Sequence, residues 1–134
     1  AAPGRGRRRR RPRPVTCVLD VGHNPDALTL LFAKVAAAYP GRPLRVALGL
    51  SADKDLPRAL EVVFRHVRDP ARVHFLQAAH PRATPVLGLV NAAAELGHLV
   101  NLEDQVLGAD NVEEVVRLVL ARAAAAAAEE EEEE

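Results

Sequence analysis

An α/β fold, a parallel sheet covered on its faces by helices, is predicted by three features of this 134-residue chain. Short β-branched apolar runs alternate with stretches of helical apolar period. Proline, glycine or an Asn/Asp cap separates one kind of stretch from the other. Each apolar run ends in a polar loop, and the connections are long enough for right-handed crossovers between parallel strands.

The first strand is expected over Val15-Thr16-Cys17-Val18-Leu19, nearly continuous in apolar character, as for a strand buried on both faces. That placement makes the single Cys17 an inert core residue. Asn24-Pro25 then opens a helix running to about Ala38, with Leu28, Leu31, Phe32 and Val35 on one face and Pro40-Gly41 as its stop. The second strand is Leu44–Leu50. A second helix begins near Leu56-Pro57 and presents Leu60, Val63, Phe64 and Val67, until Asp69-Pro70 breaks it. Val73–Leu76 is a third, short strand. Thr84-Pro85 is read as the cap of a third helix that ends at Gly97, and a further short strand is expected around His98–Leu102. Asp110 with Glu113 spells a capping box for a last helix, whose apolar side is Val112, Val115, Val116 and Val119.

Charge is distributed very unevenly around this core. Seven of the 18 basic residues fall within residues 1–14, and six of the 18 acidic ones form the run Glu129–Glu134, so the middle is nearly neutral. The chain therefore divides into a basic arm or linker remnant (1–14), a globular domain (15–122) and an Ala/Glu tail (123–134) whose acidic end is expected to fray. No aromatic residue interleaves the arginines, so nucleic-acid binding is disfavoured for the arm. One cysteine excludes a disulfide framework. No apolar run approaches a membrane span. His66, His74 and His98 lie within expected elements and read as packing or surface residues, so no metal site is assigned.

Parallel strands release their carboxyl ends at one rim. The loops Asp20–Asn24, Ser51–Asp55 and His80–Arg82 then share a crevice rich in carboxylates, histidines, Lys54 and Arg82. That mixture suits a phosphorylated ligand with magnesium, or an amino acid charged at both ends. Neither Gly-x-x-x-x-Gly-Lys-Ser/Thr nor Gly-x-Gly-x-x-Gly occurs, so the chain cannot cradle a triphosphate alone in either of those ways.

Two of these loops carry a resemblance. Asp20-Val21-Gly22-His23-Asn24-Pro25 and Ala52-Asp53-Lys54-Asp55 resemble motifs in the carboxyl-terminal domain of the folylpolyglutamate synthase/dihydrofolate synthase family, within the Mur ligase superfamily. Pro3-Gly4-Arg5 and His80-Pro81-Arg82-Ala83 are similar to two weaker elements, and the likeness spans about Pro3 to Arg122. The resemblance implies a Rossmann-like three-layer domain lacking the family's last strand. It also implies an ATP-dependent ligase that joins L-glutamate to folate through an acyl phosphate. Arg5 and Asp20 would then contact the nucleotide. His23, the one residue given a catalytic part, would lie towards the phosphates or the incoming amino acid. Lys54 and Arg82 would steer the glutamate carboxylates. ATP and Mg2+ would be cofactors, with the metal ligands and folate pocket on a missing amino-terminal domain, so the chain alone should show no turnover. A cytoplasmic monomer is expected, with a mitochondrion or plastid as the alternative compartment. The rival readings are a Mur-type ligase for another amino acid, a non-catalytic α/β module with a nucleic-acid-binding arm, and a non-functional remnant.

Overall fold

The computed structural model describes residues 15–20, 24–52, 55–100 and 110–133. Its elements, in chain order, are α1 (Pro25–Ala38), β1 (Val46–Leu48), α2 (Leu56–His66), β2 (Val73–Phe75), α3 (Val86–Glu95) and α4 (Val112–Glu133). A 3-10 turn, Pro70–Arg72, leads into β2.

Local chemistry sets most helix ends. The Asn24 side chain accepts from Ala27 N at 2.8 Å, and Pro25 occupies the first helical position of α1. Asp55 accepts from Arg58 N at the start of α2. Asp69 accepts from Ala71 N at 3.0 Å and turns the chain after α2. Gly97, at φ +88°, ends α3 in the left-handed conformation that glycine tolerates, while His98 N reaches back to Ala93 O at 2.9 Å.

β1 and β2 pair in parallel, with Val46 opposite Val73, Ala47 opposite His74 and Leu48 opposite Phe75. All three β2 residues are buried, so that strand is covered on both faces, whereas Ala47 of β1 is exposed. The core lies between these strands and the helices. α2 supplies Ala59, Leu60, Val62, Val63 and Phe64; α1 adds Leu28 and Phe32; α3 adds Val86, Leu89 and Ala93. α2 packs between α1 and α3, α3 lies against β2, and α4 lies against β1. The result is the expected α/β architecture, with a sheet of two strands among the described residues. No helix of the described residues is long and apolar enough to cross a membrane.

Several expectations need correction. Residues 15–20 form no strand and are exposed throughout, Leu19 at 89%. Cavities separate the segment from β1, so its β-branched sequence has no ladder to join, and a strand without a paired neighbour is not stable. Cys17 is consequently exposed instead of buried in a core. The other two strands are shorter than their apolar runs, and residues 98–100 are not a strand; 101–109 lie outside the described residues. α4 is capped one residue later than expected. Asn111, not Asp110, accepts from Glu114 N at 3.2 Å, and Glu113 pairs with Arg117 at 2.7 Å instead of reaching back. Of its expected apolar side only Val115 is buried, and the packing of α4 on the sheet falls chiefly on β1. Beyond Arg122 the alanine run prolongs this helix to Glu133, in keeping with the helix preference of alanine.

Candidate functional site at the carboxyl ends of the strands

The loops leaving β1 and β2 are tied together by backbone hydrogen bonds. Leu76 N donates to Leu48 O at 2.9 Å, Thr84 N to Leu50 O at 2.8 Å, and Ala52 N to Arg82 O at 2.7 Å. Ser51 and Ala83 form an antiparallel bridge. Two loops thirty residues apart in the chain are thus held as one rim. The closeness demands glycine at position 49, where a Cβ would lie 2.6 Å from Leu76 Cδ1 and 3.0 Å from Leu76 O.

Within this rim His80 Nδ1 accepts from Arg82 N at 3.1 Å, bending the loop that carries Arg82. The side chain of Asp55 closes the first turn of α2 and lies 3.9 Å from Arg58 Nε. The start of α3 departs from expectation. Thr84 does not cap it: its Oγ1 is buried and makes no hydrogen bond, and Gln77 Oε1 accepts from Val86 N at 3.2 Å instead. A Gln nine residues upstream of a helix start carries no local sequence signal, so only the folded loop discloses it.

Of the residues assigned a role from sequence, Asp20 and Arg82 are described. Arg82 stands in the loop joined to Ser51 and Ala52. Asp20 ends the segment ahead of α1 and, with Val18, borders a cavity of about 150 Å³ beside Leu28, Phe32 and Leu48. Arg5, His23 and Lys54 lie outside the described residues, as do Val21, Gly22 and Asp53. The remaining histidines take packing positions. His66 stacks on Phe32 with centroids 4.6 Å apart, and His98 on Phe64 at 4.1 Å. His74, buried in β2, takes a hydrogen bond at its Nε2 from Arg45 Nη1 at 2.9 Å; arginine only donates, so Nε2 is the unprotonated nitrogen. Among the described residues no three His, Cys, Asp or Glu side chains group closely enough to hold a metal ion.

In open parallel α/β sheets, ligands bind at the carboxyl ends of the strands, the edge at which these two exit loops are joined. Residues 4–128 match the family model described as Mur ligase, glutamate ligase domain, and the chain belongs to that family. It is thereby a member of a family of ATP-dependent amide ligases that generally use Mg2+. No curated protein and no solved structure matches it.

Proposed function

We propose that this domain provides the nucleotide- and glutamate-facing half of an ATP-dependent ligase that adds L-glutamate to a folate. The support lies in the joined exit loops, in which the backbone of Arg82 is bonded to Ala52, together with the family match over residues 4–128. In this reading Asp20 accepts from ribose hydroxyls, and Arg5 sets a guanidinium beside phosphate or base. His23 faces the phosphates or the attacking amine. Lys54 and Arg82 hold the carboxylates of glutamate. In this reading the magnesium ligands and the folate pocket lie on a partner domain of the same enzyme. Closure of that domain on this rim would shield the acyl phosphate from water.

The observation that carries the reading is the pairing of Ala52 N with Arg82 O, which joins two loops that the motif assignment needs side by side. Titration of the 134-residue protein with L-glutamate and with ATP, followed by amide chemical shifts, tests it. Perturbations should gather at Ser51–Ala52 and His80–Ala83 for glutamate and at Asp20 for ATP. Arg82→Ala should weaken glutamate alone, and Asp20→Ala should weaken ATP alone. Preference for another amino acid would move the chain to a different branch of the superfamily. ATP- and glutamate-dependent phosphate release by this chain alone would overturn the division of labour between two domains.

A further inference from the structure

A second concavity lies at the opposite rim of the sheet. Arg45 immediately precedes β1 and Arg72 immediately precedes β2, so both stand at the amino ends of the parallel strands, away from the exit loops. Here a cavity of about 210 Å³ opens between the end of α1, the segment Val15–Val18 and the middle of α4. Its α4 wall is Val119, Leu120 and the small residues Ala123, Ala126 and Ala127, whose methyl groups leave the space that larger side chains would fill. Val35, Leu44 and Val15 continue the apolar lining.

Three arginines border this apolar recess. Arg42 lies over the Tyr39 ring, 5.7 Å from its centroid, and donates from Nη1 to Thr16 Oγ1 at 2.9 Å. Arg45 donates from Nη1 to Ala71 O at 3.1 Å and to His74 Nε2. Arg72 completes the set. Burial lowers the pKa of Arg45 below its ordinary value, the like charges of Arg72 and Arg122 lower it further, and only Asp69 acts to raise it. Arg45 thus lies within the influence of the like charges of Arg72 and Arg122 and of the carboxylate of Asp69.

We propose that this recess binds a short- to medium-chain carboxylate, with the alkyl tail against α4 and the carboxylate on the guanidinium groups of Arg42, Arg45 and Arg72. Apolar walls account for the tail, and a cationic border accounts for an anionic head. The recess is enclosed on three sides by α1, α4 and residues 15–18, which fits a detached single chain better than the flat surface of a bilayer.

Calorimetric titration of the 134-residue protein with octanoate, below its micelle concentration, tests the site, with octanol and octylammonium as comparison ligands. Octanoate should saturate at one per chain, and both comparison ligands should bind at least about tenfold more weakly, the loss expected for one charge-assisted hydrogen bond. Arg72→Gln should weaken octanoate by about tenfold. Ala123→Phe should abolish its binding while the far-ultraviolet circular dichroism stays unchanged. Equal affinity for octanol or octylammonium would overturn the assignment. So would absence of saturation near about 1 mM ligand with the wild-type protein folded, or binding to anionic vesicles in preference to octanoate.

Discussion

The two rims of the sheet are built by opposite means. At the carboxyl rim, main chain meets main chain: Leu50–Ala52 and Arg82–Thr84 are bonded directly, and Gly49 lets Leu76 approach without a gap. At the amino rim, side chains enclose a void, and the segment Val15–Val18 stands off from β1. Backbone hydrogen bonds hold a loop in a single geometry, as a site for a reacting ligand requires. A cavity lined by alanine and valine leaves room for a guest and asks less of its shape. In this domain the precise edge and the permissive edge lie at opposite ends of the same two strands.

The contrast can be broken or sharpened by substitution. The largest effect belongs to the shared core: Leu60→Ala, at a side chain with no exposed surface, should cost about 2–5 kcal/mol in urea unfolding and weaken both rims together. Retention of one rim's hydrogen-exchange protection in that variant would show that the rims do not depend on a common core. Gly49→Val should cost about 1–3 kcal/mol, because the new side chain meets Leu76 backbone as well as its flexible tip. Amide shift changes in that variant should concentrate at residues 50–52 and 82–84 and leave Arg42 and Arg45 unmoved. Asn24→Ala removes the cap of α1 next to the carboxyl rim and should cost about 1 kcal/mol by thermal unfolding. Ala126→Leu should do the reverse at the amino rim. Filling part of the cavity should raise stability by about 0.5 kcal/mol, and a loss of that size would mean the space is already taken.

Those elements that carry their own stop and start signals were legible in the residues. α1 begins at Asn24-Pro25 and ends before Pro40-Gly41, α2 begins at Asp55, and Gly97 closes α3, as their side chains predict. The apolar positions Leu60, Val63, Phe64 and Val67 of the α2 stretch are all buried. Misreadings arose where an outcome depended on a distant partner. Val15–Leu19 has the composition of a buried strand, but a strand exists only where another edge offers hydrogen bonds. Thr84 has the look of a cap, yet Gln77 performs that function across a loop. The alanine run beginning at Ala123 reads as low complexity, although it lines the larger cavity.

Periodicity and capping chemistry, both local, determined by themselves that this protein alternates strands and helices, and its Asp-x-x-His-Asn-Pro and Ala-Asp-Lys-Asp strings pointed to the ligase superfamily. Tertiary structure alone decided how many strands pair, that the 51–52 and 82–84 loops close on each other, and that Arg42, Arg45 and Arg72 converge on an apolar recess. Helix caps act within a few residues, whereas strand pairing and charge clustering depend on segments whose distance along the chain says nothing about their distance in space.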